Sequence, residues 1–261
     1  MEFHETQFMN SQIFNWSELL ALVNRSTPHG DWIFRGLKKG PNEKKELEIL
    51  SYFDEAWNRR QGRKVSRKLY EAWMLREFRR EAYHHLRHLP ERGDLLKWLA
   101  LGRHYGMPVR LLDFTYSFHV AVYFAISRRI ENEDGWVLAF NHKWHKQQLE
   151  TNIVPALARK CKVPLREAAF QDPRLFRGFA VAYPKDYVAA VNPFRRNPRL
   201  AAQQGLFLCP GNIEHKFEKN LEKALPKDPG RRKDKLILIR VPSRIRTETM
   251  KELRRMNISS A

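Results

Sequence analysis

Three groups of residues have the types and spacing to do chemistry. Arg35 stands near the end of Trp32-Ile33-Phe34-Arg35-Gly36, which reads as a short strand over 31–37 closing on a glycine. A guanidinium fork at a strand end suits bidentate binding of a phosphate or pyrophosphate, and a glycine lets a ligand approach the main chain. A surface arginine before a turn is the competing reading. The second group lies in Leu99–Thr115, where Arg103, His104, Tyr105, Arg110 and Asp113 are bracketed by apolar residues. His104 and Tyr105 follow a helix and precede the Gly106-Met107-Pro108 turn, a place where side chains can enter a cleft. Arg110 and Asp113 lie three apart around Leu111-Leu112, so they are expected to pair structurally if both are buried. Thr115 and Ser117 offer hydroxyls at the start of a helix, whose free N–H groups favour anions.

The third group is basic and aromatic. Arg195, Arg196 and Arg199 follow Phe194, and Lys143 and Lys146 flank Trp144. Such clusters can hold phosphates and stack bases, although a solvated charged surface explains them equally. His84 with His88, and His142 with His145, have helical spacing for metal, but no third ligand accompanies either pair, so no metal is expected. Neither a Walker loop nor a dinucleotide glycine fingerprint is present.

The elements that must position these residues are mixed in order. Asn15-Trp16-Ser17-Glu18 reads as a capped start to a helix reaching about Asn24. Residues 38–67 are a charged surface excursion holding a helix. Ser66–Leu89 is a long helix whose stripe Leu69, Trp73, Leu75, Phe78, Ala82 and Leu86 is expected to face the core. Helices are also expected over 93–105, from the Ser117 cap to 130, and over 198–204, 213–225 and 243–256. Strands are expected over 109–112, 135–140, 186–191, 205–209 and 235–241. Residues 141–182 show helical pieces without a clear period. Without a regular βαβ alternation the class is α+β, a mixed small sheet or sheets flanked by helices in one domain spanning 1–261, with 1–30 as an N-terminal helical segment.

Composition narrows the setting. Of 261 residues, 43% are hydrophobic, enough for a packed core. No apolar run approaches the ~18 residues of a membrane span, and the first residues lack a signal-peptide pattern, so a cytoplasmic protein is expected. Cys161 and Cys209 are two isolated thiols with no metal or disulfide framework around them. Lys plus Arg number 48 against 29 acidic residues, a formal charge of +19. That field attracts polyanions, nucleic acid first, with an acidic antitoxin or inhibitor protein as the alternative partner. The basic residues are spread along the chain, which argues against a membrane-surface helix.

Trp32-x-Phe34-Arg35-Gly36, Arg103-His104-Tyr105-Gly106-x-Pro108-x-Arg110-Leu111-Leu112-Asp113-Phe114-Thr115, Ala121-Val122-Tyr123-Phe124-Ala125 and Arg199-Leu200-x-x-Gln203-x-Gly205-x-Phe207 together resemble the FRG domain, named for its Phe-Arg-Gly motif. The likeness runs in order from about residue 30 to the end, through Leu253-Arg254-Arg255-Met256-Asn257-Ile258. Arg103 departs from it, since the family usually has Gln before His-Tyr-Gly. The resemblance implies a bacterial or phage-related setting, such as a toxin or phage-defence protein.

The motif order is in turn similar to the ADP-ribosyltransferase plan, an analogy of fold. It implies NAD as substrate, with Arg35, Thr115 and Gln203 as the catalytic set. Arg35, Gly36, His104, Tyr105, Ser117 and Tyr123 then hold the dinucleotide, with Tyr105 or Tyr123 stacking on the nicotinamide. Gln203 can orient a ribose hydroxyl but cannot act as a base. The function expected is therefore ADP-ribosyl transfer to nucleic acid, RNA rather than DNA. A non-catalytic nucleic-acid-binding module is the alternative, and a nuclease using His104 and Asp113 is the third.

Overall fold

The computed structural model describes residues 8–9, 12–28, 32–37, 39–44, 46–60, 65–127, 132–165, 170–192 and 203–259. Its centre is a seven-stranded sheet in the order β1-β7-β4-β2-β3-β6-β5. The strands are β1 (Phe8–Met9), β2 (Trp32–Gly36), β3 (Leu112–Thr115), β4 (Gly135–Asn141), β5 (Val188–Val191), β6 (Gly205–Pro210) and β7 (Leu236–Val241). Every neighbouring pair is antiparallel except β1 with β7, which is parallel. The α+β class thus holds.

The helices are α1 (Trp16–Ser26), α2 (Tyr52–Asn58), α3 (Arg67–His85), α4 (Leu95–His104), α5 (Phe118–Ile126), α6 (His142–Asn152), α7 (Val154–Cys161), α8 (Pro173–Arg177), α9 (Phe217–Ala224), α10 (Pro229–Arg232) and α11 (Arg246–Arg255). Among the described residues, no helix is long and apolar enough to cross a membrane.

Strand alternation divides the core. Trp32, Phe34, Val137, Ala139, Ile237 and Ile239 pack with α1, α5 and α11 on one face. Ile33, Phe114, Leu138, Phe140, Leu206 and Leu238 pack with Leu47, Ile49 and α9 on the other. A third cluster joins α3, α4, α7 and α8 to Phe207, Cys209, Ala189 and Val191 at the β5–β6 end.

Local chemistry sets the helix ends. The Asn15 side chain accepts from the Glu18 N–H at 2.9 Å, while the Glu18 carboxylate accepts from the Phe14 N–H at 2.7 Å, closing the first turn of α1. Ser51 and Asp54 form a reciprocal capping box on α2. Ser117 caps α5 through the Val120 N–H.

Three expectations change. Strand β3 begins at Leu112 rather than Val109, because its register is set by β6, with Leu112 opposite Leu208. The segment 38–67 is no surface excursion: Leu47, Ile49 and Phe53 are buried, and α2 packs into the body. On α3 the buried positions are Arg67, Glu71, Leu75 and Ala82, whereas Leu69 and Trp73 point outward. At 100° per residue Leu69 and Trp73 lie opposite Leu75 and Ala82, so one apolar stripe could not include all of them. The helix expected over 198–204 falls mostly outside the described residues.

His145 is fully buried in α6, its ring stacked on Tyr187 at 5.5 Å and 15°. Its Nε2–H donates to the Val188 carbonyl at 3.0 Å, while Nδ1 has no hydrogen-bond partner among the described residues. Burial pushes its pKa down to about 3. The folded protein therefore holds it neutral where the unfolded chain, near 6.5, binds a proton. The contribution is full above pH 6.5 and declines as pH falls from about 6.5 towards 3, by up to about 1.4 kcal/mol per pH unit. Urea unfolding across pH 7 to 4.5 should show this decline, and His145→Phe should flatten it.

Candidate functional site

Arg35 lies on β2 between two positions with different duties. Phe34 pairs with Thr115 on β3, so their side chains share the face covered by α5. Arg35, one residue on, turns to the opposite face. There it lines a cleft of about 800 Å³ together with Leu37, Lys39, Leu47, Ile49, Glu55 and Glu218, with Glu46 and Glu48 also on its wall. The wall comes from three places: β2 and its exit, α2 with the segment leading into it, and α9.

The Arg35 guanidinium donates through Nη1 to the Asp113 carbonyl at 2.6 Å. Among the described residues no carboxylate forms an ion pair with it. Desolvation lowers its pKa; Asp113 opposes this, Arg103 adds to it, and Tyr52 and Glu55 oppose it. The group stays charged regardless, as arginines do. A partly buried cation with one carbonyl partner retains N–H donors for an anionic ligand.

Beside it, Asp113 is held by Arg103, whose Nε and Nη2 donate to Oδ2 at 3.0 and 2.6 Å. The Arg103 guanidinium also lies 3.9 Å over the Tyr52 ring. Burial pulls the pKa of Arg103 down, but Asp113 and Tyr52 outweigh it and the net direction is up. Arg103 thus supplies a second cation that anchors α4 to β3 and α2. Glu218 accepts from the Ile49 N–H at 2.5 Å, and desolvation holds its pKa above the usual carboxylate value.

The expected pair of Arg110 and Asp113 is not formed. Arg110, 1% exposed, donates through Nε to the Glu71 carboxylate at 2.8 and 3.1 Å and through Nη1 to the Ala180 carbonyl at 2.8 Å. Arg110 lies at a bend before β3 begins, and each charge meets a helix instead: Glu71 on α3 for Arg110, Arg103 on α4 for Asp113.

Thr115 and Gln203 meet, but away from the Arg35 cleft. The Thr115 hydroxyl donates to the Gln203 carbonyl at 2.7 Å and accepts from the Ser117 N–H at 3.0 Å. Both capacities of that hydroxyl are thereby used to set the β3–α5 corner. Neither Thr115 nor Gln203 is among the cleft-lining residues, so the triple of Arg35, Thr115 and Gln203 does not converge on one hollow. Ser117 is the α5 cap, and Tyr123 is partly buried against the α5-side core. His104, the last residue of α4, and Tyr105 just after it are exposed, their rings edge to face at 5.0 Å.

Gly36 has a different duty from the one expected. A side-chain carbon there would sit 2.4 Å from the Ala121 carbonyl and 2.6 Å from the Ala125 nitrogen. The space over Gly36 is filled by the α5 backbone, not by a ligand. The Gly of Phe-Arg-Gly is what lets α5 lie directly on β2. Gly36→Ala is expected to destabilise the fold by about 2 kcal/mol or more, read from urea unfolding, because rigid backbone must move aside.

Lys143 and Lys146 are exposed on α6, and Lys146 approaches Glu150 at 3.8 Å. Trp144 instead packs partly buried on the α9-side core, with Lys235 5.7 Å over its ring. Arg195, Arg196 and Arg199 lie outside the described residues. The residues that sequence reasoning missed are Tyr52, Glu55 and Glu218, which sit in charged stretches without a motif.

An α+β protein with an arginine-centred, glutamate-walled cleft on one sheet face is the class that this geometry defines. Residues 30–134, the stretch that carries Phe34-Arg35-Gly36, α2 and Arg103–Asp113, match the family model of the FRG domain. No curated protein and no solved structure matches the chain.

Proposed function

We propose that the Arg35 cleft binds NAD and transfers its ADP-ribosyl group to nucleic acid, RNA in preference to DNA, as a toxin or phage-defence enzyme does. The observation that carries the reading is the meeting of the Arg35 guanidinium and the Glu55 side chain on one cleft of about 800 Å³, within the range of sites that enclose small ligands. Arg35 grips a phosphate of the dinucleotide. The glutamates suit the rest of the molecule: the nicotinamide is cationic, and breaking its bond to C1′ develops an oxocarbenium ion. The bonding pair leaves with nicotinamide, which departs neutral. An acceptor oxygen or nitrogen then bonds to C1′ and gives its proton to Glu55 or to water. Glu55 thereby supplies the carboxylate that Gln203, an amide, cannot.

Incubation with NAD labelled in its adenosine, and with RNA, DNA or protein, tests it. Label should pass to RNA, and Arg35→Ala should abolish transfer while leaving the melting temperature within a few degrees. No transfer to any acceptor by the folded protein counts against the reading. The second reading, a non-catalytic nucleic-acid-binding module, is favoured by the charge of +19. It predicts salt-sensitive binding that Arg35→Ala leaves unchanged.

A further inference from the structure

We infer that the outward face of α3 is a docking surface for single-stranded RNA, with Trp73 as its base-stacking platform. This rests on the nucleic-acid acceptor proposed above and assigns it a path.

Leu69, Trp73, Arg76, Arg80 and Tyr83 fall within about 80° of one another around α3, opposite the buried Glu71, Leu75 and Ala82. Leu69 is 61% exposed, Trp73 52% and Tyr83 76%. A helix of 19 residues that hides glutamate and arginine inside and shows tryptophan outside reverses the usual arrangement. Three large apolar side chains on one solvent-facing line call for an occupant.

Charge selects the occupant. Residues 59–92 carry eleven Lys or Arg against four acidic residues. On the face itself Glu77 bridges Arg76 at 3.1 Å and Arg80 at 3.2 Å, fixing two guanidiniums side by side with net positive charge. Alternating exposed rings and guanidiniums match a strand whose bases are unpaired and whose phosphates repeat. A duplex offers no base faces to Trp73, and an acidic protein does not use a stacking platform.

The face also leads towards the cleft. Trp73 stacks on Tyr70 at 6.1 Å and 19°, Tyr70 meets Trp57 at 5.7 Å, and Trp57 lies over Phe53 at 6.4 Å and 17°. Arg60 sits 5.3 Å over Trp57 and 5.0 Å over Tyr70. Trp57 belongs to α2, the helix that places Glu55 in the cleft wall. A ladder of rings therefore joins the α3 face to α2, the helix whose other side carries Glu55.

Fluorescence anisotropy of a labelled oligouridylate with the full chain provides the test. Trp73→Ala should weaken binding about tenfold or more, and Trp73→Phe should restore most of it. Arg76→Ala with Arg80→Ala should reduce the slope of log K against log salt by about 1.4, two phosphate contacts at ~0.7 each. Lys143→Ala with Lys146→Ala on α6 should change affinity less than twofold. Melting curves should match the parent, since all these side chains are exposed. Equal affinity for Trp73→Ala and parent, or a larger loss from the α6 pair, overturns the proposal. NAD cleavage to free nicotinamide without RNA separates the two readings: it should persist in Trp73→Ala, and its absence from the parent counts against the cleft, not the docking face.

Discussion

Glu71→Ala is expected to lower the free energy of unfolding by about 3–5 kcal/mol, because it strands a guanidinium inside the protein. Arg110 is 1% exposed and sits between Glu71, the Ala180 carbonyl and Cys209. Burial pulls its pKa down, and the Glu71 carboxylate, the largest opposing influence, turns the net direction up with smaller help from Cys209 and Glu214. Without that carboxylate a single carbonyl remains to face a charge that cannot be neutralised by proton loss. Replacing both residues, as Glu71→Leu with Arg110→Met, should recover most of the loss, since a packed apolar pair avoids desolvating two charges. Urea unfolding of the parent, the singles and the double closes the cycle. A loss below about 1 kcal/mol for Glu71→Ala contradicts the role given to the pair. The pair matters for the site because it binds α3 to the chain that enters β3 two residues later.

Glu55→Gln should cut NAD cleavage by about 10²- to 10³-fold while leaving the KM for NAD within a few-fold. The substitution keeps shape and removes the charge that faces the developing cation, an effect confined to the transition state. Glu218→Gln should cost less than tenfold, because that carboxylate already accepts the Ile49 N–H and serves the wall. Nicotinamide release measured under saturating NAD checks both. If Glu218→Gln is the more damaging, the roles of the two glutamates are exchanged; if neither matters, the acid assignment fails.

Much of the fold was legible. The β-branched and apolar runs of β4, β6 and β7 were placed within one or two residues, since buried strands announce themselves by composition. The α1 start followed from Asn15 and Glu18, whose capping chemistry is local. What failed was whatever depended on distant partners. Val109-Arg110-Leu111 alternates like a strand, yet pairing begins only at Leu112, where β6 lies alongside. Arg110 and Asp113 looked like mutual partners because Glu71 and Arg103 are invisible at that distance in sequence. In α3, spacings of two to four run through Leu69 and Trp73 as well as Leu75 and Ala82, although the first two lie on the opposite face.

The candidate site was legible only at Arg35. Its motif placed it correctly at a strand end beside a hollow, although the neighbouring glycine serves α5 rather than a ligand. The cleft wall, Leu47 to Glu55 and Glu218, comes from charged segments whose buried Leu, Ile and Phe are diluted by glutamate and lysine. Tertiary packing alone brings them together, and no short-range spacing encodes it.

Calorimetric titration of NAD into the parent chain and into Arg35→Ala measures the central claim directly. One site with a dissociation constant between about 1 µM and 1 mM is expected for the parent. Affinity should fall at least about tenfold in the variant, as befits the loss of charged hydrogen bonds to a phosphate. An identical isotherm for both proteins, or no binding by the parent, contradicts it.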